Sequence, residues 1–466
     1  MPVRGLAVGL KVKNQYYVVN PMLSELGNII HGIRELVDEG IIILRRVRWS
    51  MIRFANNEPT IANNWVTNET TIYIAKSKRY LTASLSTADI NAIRGKIQEL
   101  VKGLSNIPED EFYVPLTHGE RPNQLVGKYD SRIESETDKL VDGLNEAIQA
   151  SLSEGSQRNA GAMTFGVGEV YYVDSLGLEL EDRASFVTLT IRAFIDEVTA
   201  TSVSISNTLD GFKPREAGSE AGRLVSLVKG LPEEGIDSGR YNVVMGPLVS
   251  AHLYGLMTSM WFNAYSVLTE MSGISRGDLG NAIASEGLTI TDLSNDPGAF
   301  GSESFDYEGN GTMNLEIIRK GVLTGLLHNN RTAAKFGTRS TGHAVGNWLR
   351  PRPRHVAIST GHLPSDVEAI AAEIGNGVIV TNNWYTRFQN IKEGLFSTVV
   401  RDAAFLVRNG RLSARLRGLR IADSFRVLLR NFVDSSRETK QVYWWDSPLP
   451  GTAPYVLVRD LNISKG

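Results

Sequence analysis

Apolar and polar residues alternate in short runs near the start of the chain, a pattern typical of β-strands. Between Trp49 and Ser86 these runs are MIRFANN, TIANNWV, TTIYIAK and RYLTASL, and Asn, Pro and Ser-Lys turn signals separate them. The next segment, STADINAIRGKIQELVKGL, instead repeats Ile, Leu and Val at helical spacing, and Thr87 or Asp89 can cap its first turn. The pattern predicts a meander of strands with one helix packed on it.

A similar order of elements recurs before residue 235. Apolar residues between Ile133 and Leu152 share one face of a second helix, the runs MTFGVGEVYYVDSLG and SFVTLTIRAFIDEV predict strands, and EAGSEAGRLVSLVKGL predicts a further helix. The two units share too little sequence identity to be called a repeat. This order of strands and helices predicts an N-terminal α/β domain over residues 1–235, built of strand meanders with packed helices.

The second half of the chain reads as β-rich. Lys320-Gly321 and Asn409-Gly410 predict hairpin turns, and Asn-Gly is the stronger signal because both residues accept the positive φ of a type I′ turn. One helix is predicted from Ser365 to Ile374, with Ser365 and Glu368 as a capping box and Gly375 as its stop. The fold class is therefore predicted as α+β, with a β-rich C-terminal domain over residues 236–466.

The stretch VVMGPLVSAHLYGLM, from Val243 to Met257, predicts the opening of a buried helix with a proline near its start. No charged residue occurs between Arg240 and Glu270, so a membrane span is an alternative. Polar residues such as His252 lie on every helical face of this window, which favours a core helix. The N-terminus shows no convincing signal peptide, and we expect a cytoplasmic protein without a membrane partner.

The amino-acid composition limits which partners and which catalytic groups can be expected. The 49 basic and 51 acidic residues almost cancel, so no nucleic-acid partner is expected. The chain has no cysteine, which excludes disulfides, thiolate ligands and cysteine nucleophiles. No two of the seven histidines have the spacing that places two ligands together on a helix. Asp306 and Glu308 could form a carboxylate pair, although in a glycine-rich loop turn formation and backbone hydrogen bonding are the favoured explanation of these residues.

Several stretches resemble, in order, the TldD/TldE (PmbA) family. They include YYVDSLGLELEDRASFVTLTIRAF, AGSEAGRLVS, SGRYNVVMGPLVSAHLYGLM, the block from Phe305 to Gly346, and RDAAFLVRNGRL. The resemblance extends from about Trp49 to the C-terminus. It implies a zinc-dependent metalloprotease built from two related chains. In that scheme the TldD chain carries a His-Glu-x-x-x-His helix and a cysteine near its C-terminus, whereas the TldE chain lacks both and pairs with TldD.

The resemblance gives meaning to the helix that contains His252. Ala251, His252 and Leu256 stand where the catalytic chain has His, Glu and His, and Asp446 and Ser447 stand near the position of its cysteine. We therefore expect no catalytic residue, no metal ligand and no cofactor in this chain, and zinc in a TldD-like partner. The candidate peptide-binding positions lie in the block from Phe305 to Gly346, namely Asp306, Glu308, Thr341 and His343.

Three functions follow as hypotheses. In the first, the chain is a TldE/PmbA-like, non-catalytic subunit of a protease that degrades or matures peptides, paired with a TldD-like chain as a heterodimer. In the second, it is a stand-alone hydrolase with a relocated site that uses His343, Asp306 and Glu308. In the third, it is a homodimeric or larger homo-oligomeric scaffold that binds peptides. The aromatic cluster from Tyr443 to Trp445 is expected to contribute to the contact with a partner.

Overall fold

The computed structural model describes residues 20–465, together with the backbone of residues 11–12 and 15–16. Most of the N-terminal stretch used to judge a signal peptide lies outside these described residues. The elements of the first half are β1 (Lys11–Val12), β2 (Gln15–Tyr16), α1 (Pro21–Ile33), β3 (Glu39–Ala55), β4 (Glu58–Lys76), β5 (Arg79–Leu85), α2 (Ile90–Gly103), α3 (Arg132–Ser135), α4 (Thr137–Ser153), β6 (Arg158–Asp174), β7 (Glu179–Ile195), β8 (Val198–Ser206) and α5 (Pro214–Lys229).

The first half forms one antiparallel sheet from two units of the same plan. The strand order is β5-β4-β3-β6-β7-β8, so each unit is a three-stranded meander, and the pairing of β3 with β6 joins the two. Each meander is preceded by a helix, α1 or α4, and followed by another, α2 or α5. The prediction of two meander-and-helix units is confirmed, and Asp89 is the residue that caps α2.

One expectation about this sheet was wrong. The runs TIANNWV and TTIYIAK belong to a single 19-residue strand, β4, rather than to two short strands. Its first part is exposed on both faces, so Asn63, Asn64 and Asn68 are solvated there and do not mark a turn. The backbone stays extended because β3 pairs with it along the whole length, with Trp49 opposite Trp65. Ladder hydrogen bonds therefore override the local turn signal.

The two faces of this sheet have different neighbours. Helices α1, α2, α4 and α5 pack on one face, where alternate strand residues such as Leu189 and Ile191 are fully buried. The other face meets the second half of the chain, because Ile41, Ile43 and Tyr73 pack with Phe305 and Trp348. The strict alternation along β7 reflects this division.

The second half consists mainly of strands. Its elements are β9 (Gly239–Met245), α6 (Pro247–Trp261), α7 (Ala264–Leu268), β10 (Ile290–Leu293), β11 (Asn314–Arg319), β12 (Val322–Leu323), α8 (Asn330–Phe336), β13 (Val356–Ile358), α9 (Val367–Ile374), β14 (Gly377–Asn390), β15 (Leu395–Arg408), β16 (Arg411–Arg415), β17 (Leu419–Ser424), α10 (Phe425–Arg430), β18 (Phe432–Ser435), β19 (Lys440–Trp444), β20 (Ser447–Ala453) and β21 (Val456–Lys465). The predicted fold class, an N-terminal α/β region followed by a β-rich part, is confirmed.

These strands form two sheets. The seven-stranded sheet has the order β14-β9-β21-β17-β15-β16, with β18 paired to β21, and the six-stranded sheet has the order β12-β11-β10-β13-β20-β19. Both predicted hairpins are confirmed, since Lys320-Gly321 joins β11 to β12 and Asn409-Gly410 joins β15 to β16, all four residues having positive φ. Helix α6 packs against β13, β14 and β20.

Two predicted helix starts were displaced. Val243–Met245 belong to β9, because they pair with β14 and β21, and the buried helix begins only at Pro247. Helix α9 is capped by Asp366 and not by Ser365, whose hydroxyl instead accepts a hydrogen bond from the Glu438 backbone N–H at 3.2 Å. No helix in the described residues is both long and apolar enough to cross a membrane.

Candidate functional site

Helix α6 carries the three positions of the degenerate motif and lies beneath β20. A Cβ atom added to Gly255 would lie 3.2 Å from Cδ2 of Leu449, and one added to Gly451 would lie 3.5 Å from Cβ of Ala251. The helix is buried on every face except at Leu256 and a few further residues, which are half-buried. Strand β20 therefore covers the part of the helix where the motif positions lie.

His252 is buried in a polar pocket between α6 and β14. Its Nδ1 accepts a hydrogen bond from the Asn383 side-chain amide at 3.2 Å, and the same amide donates to Thr398 Oγ1 at 2.8 Å. Burial lowers the pKa of the imidazole, and the charge of the nearby Asp446 carboxylate offsets this only in part. The neutral imidazole is therefore the favoured form. Asp446 itself accepts from the Tyr385 backbone N–H at 3.0 Å.

These residues do not fit a catalytic zinc ion. Such an ion takes three protein ligands and keeps a fourth position open, whereas Ala251 and Leu256 carry only alkyl side chains. His252 is engaged by Asn383, and the ligating group whose charge acts on it is Asp446. Within the part of the chain that the structure describes, no three His, Cys, Asp or Glu side chains are grouped so that they could hold a metal ion.

Asp306 and Glu308 lie together in a buried loop. Asp306 Oδ1 accepts from the backbone N–H groups of Glu308 and Asn310 at 2.9 and 3.0 Å, and its Oδ2 accepts from Ala344 N at 3.0 Å. Glu308 Oε2 accepts from Asn330 N at 2.8 Å, at the start of α8. Burial, and then the charge of Asp306, raise the pKa of Glu308 to about 8. Both carboxyl groups thus organise backbone turns.

His343 is the centre of a second buried network. Its Nδ1 lies 2.8 Å from Thr341 Oγ1, and its Nε2 lies 2.8 Å from Asp292 Oδ2 and 3.1 Å from Ser294 Oγ. Asp292 Oδ1 also accepts from two backbone N–H groups, those of Arg354 and His355. Serine and aspartate share one ring nitrogen, whereas a hydrolase triad places them on opposite nitrogens. This network lacks the arrangement that would activate Ser294.

The structure brings the four candidate peptide-binding residues into neighbouring loops, since Asp306 bonds to Ala344, next to His343. None of their polar contacts within the described residues involves α6. Their side chains are buried or half-buried and do not line the large cleft described next. Their role in peptide binding therefore stays a prediction.

A cleft of about 1520 Å³ separates the helix-free face of the first sheet from the second half of the chain. It is rich in arginine, with six arginines against two glutamates: Arg45, Arg53, Arg192, Arg352, Arg354 and Arg401, and Glu69 and Glu303. Leu449, which covers Gly255, also lines it, so the cleft passes close to α6. Sequence reasoning missed this site because its residues come from many separate strands and loops.

Two family models match most of the chain. The PmbA/TldA metallopeptidase central domain matches residues 130–227, and the PmbA/TldA metallopeptidase C-terminal domain matches residues 238–465. The chain therefore belongs to the PmbA/TldD metallopeptidase family, as the resemblance in its sequence had indicated.

Individual relatives are more distant. The chain is 28% identical over 222 residues to a protein named metalloprotease from Methanothermobacter thermautotrophicus, an alignment that covers 46% of each chain. It is 31% identical over 162 residues to metalloprotease PmbA from Escherichia coli O157:H7, covering 33% of this chain and 32% of the relative. The chain thus matches less than half the length of these two curated relatives.

A solved structure shares the fold over nearly the whole chain. TldE from Thermococcus kodakarensis superposes with a TM-score of 0.78 at 21% identity, covering 94% of this chain and all of that one. At this level of identity the likeness concerns the fold.

Proposed function

We propose that this chain is a TldE/PmbA-like subunit that holds no metal itself and assembles with a TldD-like catalytic chain. Together the two chains form a zinc-dependent protease that degrades or matures peptides. The observation that carries the proposal is that helix α6 has lost ligating side chains at its motif positions. It keeps its place in a family fold, while two of the three motif positions, Ala251 and Leu256, have side chains that cannot bind a metal.

The surroundings of His252 support the same proposal. A zinc ligand needs a free nitrogen lone pair. The lone pair of His252 Nδ1 accepts from Asn383, which leaves the proton of the neutral imidazole on Nε2. Strand β20, through Leu449, packs on the helix at Gly255. These contacts suit a structural helix, and the cleft beside it offers a surface along which a peptide can lie on the way to the partner's metal.

Co-expression with a TldD-like chain tests the proposal. We expect the isolated chain to cleave no unfolded peptide and, after dialysis, to contain much less than one zinc ion per chain by elemental analysis. Addition of a partner with an intact His-Glu-x-x-x-His motif should give cleavage that a chelator abolishes. The matched control is the same partner with both motif histidines replaced by alanine, which should still assemble in size exclusion but cleave nothing.

The other two hypotheses predict different results. Cleavage by the isolated chain, or one tightly held metal ion per chain, would reject the proposal in favour of a stand-alone hydrolase. Failure to associate with the native TldD-like chain, together with a stable homo-oligomer that binds peptides, would favour the scaffold. The His252→Gln variant adds a further check, because a structural histidine predicts unchanged cleavage per assembled complex.

A further inference from the structure

Arg401 on β15 is a cation in the cleft with no hydrogen-bonding partner in the described part of the chain. Its guanidinium donates to no side chain or carbonyl there, and its Nη1 is buried without an acceptor. The nearest carboxylate is that of Asp402, 3.9 Å from Nε, too far for a hydrogen bond. The guanidinium carbon lies 4.6 Å from the ring centre of Trp384 and 5.8 Å from that of Trp445. Its donors are therefore held in place but unused.

Asp402 cannot supply the missing acceptor, because its oxygens are already occupied. Oδ1 accepts from Thr199 Oγ1 and pairs with an Nη atom of Arg192, both at 2.6 Å, and Oδ2 accepts from Thr201 Oγ1 and the Asn382 amide at 2.6 and 2.7 Å. The residue has a φ of 59°, in the left-handed region, at a register shift between β14 and β15. This network fixes the carboxylate away from Arg401.

Arg192 on β7 is the second cation of this part of the cleft. It pairs with Asp402, but its Nε is buried without an acceptor. Burial, and then the positive charge of Arg192, lower the pKa of the Arg401 guanidinium. Asp402 is the carboxylate that pairs with Arg192, and the charge of Asp446 offsets the repulsion on Arg401 only in part. A further anion that joins the two arginines would therefore be stabilised.

We propose that Arg192 and Arg401 bind a carboxylate group of a peptide that lies in the cleft. Arginine presents a planar set of donors that suits a carboxylate, and both residues line the cleft. The inference rests on the proposed function for its ligand, a peptide, and it adds a preference for peptides with a carboxylate at one position.

The rest of the cleft favours a single carboxylate over a polyanion. Glu69 and Glu303 line the same cleft and offset part of its basic charge, which weakens its attraction for a nucleic acid. Glu303 already neutralises part of the basic charge, since it pairs with Arg45 at 2.8 Å and Arg354 at 2.7 Å. Aromatic side chains, among them Phe194 and Trp445, provide apolar walls for neighbouring peptide residues.

The proposed carboxylate site lies near the motif helix. The charge of Asp446 acts on both His252 and Arg401, so that this one carboxylate is close to both groups. Trp445 and Leu449, on either side of Asp446 along the chain, line the cleft. A peptide held at Arg401 would therefore lie over β20, beside α6.

The test measures peptide binding to the isolated chain by fluorescence anisotropy. Three hexapeptides differ only in their carboxylates: one has a free C-terminus and no acidic side chain, one has an amidated C-terminus and a single Glu, and one is amidated with Gln in place of that Glu. We expect at least one carboxylate peptide to bind about ten-fold or more tightly than the uncharged peptide, the scale of one charged hydrogen-bonded contact. Comparison of the first two peptides shows whether the cleft prefers a C-terminal carboxylate or the carboxylate of a Glu side chain.

Arg401→Gln should abolish this preference, so that the carboxylate peptides bind no more tightly than the uncharged peptide does to the same variant. The matched control is Arg94→Gln, which removes one charge from an exposed position on α2 and should retain the preference. Circular dichroism melting checks that Arg401→Gln is folded, as expected for a side chain without hydrogen bonds. Arg401→Lys keeps the charge but not the planar donors, and should restore the preference only in part.

Two results would overturn the proposal. One is equal affinity of the folded wild-type chain for all three peptides, and the other is tighter binding of a single-stranded oligonucleotide than of any peptide. Neither result depends on a partner chain or on cleavage. A failure to assemble with a TldD-like chain would therefore leave the carboxylate preference measurable, and the two proposals can fail separately.

Discussion

Glu308 occupies a buried position where a neutral carboxyl group is more stable than a carboxylate. Its folded-state pKa of about 8 lies far above the value of about 4.3 for an unfolded chain. The folded protein therefore binds a proton on this group that the unfolded chain releases between these two pH values. The stability that Glu308 contributes is complete below about pH 4.3 and is lost as the pH rises through about 8.

We expect this difference to appear when wild type is compared with Glu308→Gln. Glutamine is uncharged, and its amide oxygen can still accept from Asn330 N. The free energy of unfolding of wild type minus that of the variant should fall between about pH 5 and pH 8, with a slope that approaches about 1.4 kcal/mol per pH unit. Urea unfolding at a series of pH values gives the measurement.

Glu373→Gln is the control, because Glu373 is exposed on α9 and makes no ion pair among the described residues. The difference in the free energy of unfolding between wild type and Glu373→Gln should stay constant over the same pH range. A flat difference for Glu308→Gln as well would mean that Glu308 is ionised in the folded protein, contrary to this account of its burial.

At the residue scale, the sequence reveals what a side chain cannot do more readily than what it does. The amino-acid sequence alone shows that Ala251 and Leu256 have no atom that could bind a metal. The environment of His252 is not, because Asn383 and Asp446 reach it from segments more than 100 residues away. Arg192 and Arg401 are likewise ordinary polar positions of two strands that belong to different sheets, and only the folded chain places both in one cleft.

At the level of elements, the hydrophobic pattern predicted both hairpins and five of the ten helices given above, namely α2, α4, α5, α6 and α9. It failed where tertiary contacts override local signals. The polar first part of β4 is extended because β3 pairs with it, and Val243–Met245 are strand because β14 and β21 lie on either side. A run of buried apolar residues does not by itself distinguish a central strand from the start of a helix.

The start of α9 gives an element-scale prediction. Asp366 Oδ1 accepts from the backbone N–H groups of Glu368 and Ala369 at 3.0 and 3.1 Å, and Oδ2 pairs with Arg223 on α5. Asp366→Ala removes the cap and should lower the free energy of unfolding by about 1 kcal/mol. Asp366→Asn keeps a capping oxygen and loses only a half-exposed ion pair, so it should cost less than half as much. Equal losses in urea unfolding would show that the ion pair, not the cap, stabilises α9.

At the scale of the whole molecule, the two halves of the chain share hydrophobic cores. One cluster joins Leu189 and Ile191 of β7 and Val225 of α5 to Ile379 of β14 and Phe405 of β15. Another joins Ile41 of β3 to Phe305 and Trp348. The division of the chain between residues 235 and 236 remains a proposal about sequence organisation. The shared cores mean that each half buries part of its apolar surface against the other half.

Because burial of these residues depends on both halves, we expect the halves to unfold together. Trp49→Phe with Trp65→Phe leaves five tryptophans, all beyond residue 260, so that tryptophan fluorescence then comes from the second half, including Trp348 at its contact with the first half. In that background Leu189→Ala, a change in the first half, should destabilise by about 2 to 5 kcal/mol. It should shift the fluorescence and far-UV circular dichroism midpoints in urea by the same amount. A shift seen by circular dichroism but absent from fluorescence would mean that the second half is stable without the first, and the shared clusters would then contribute little to its stability.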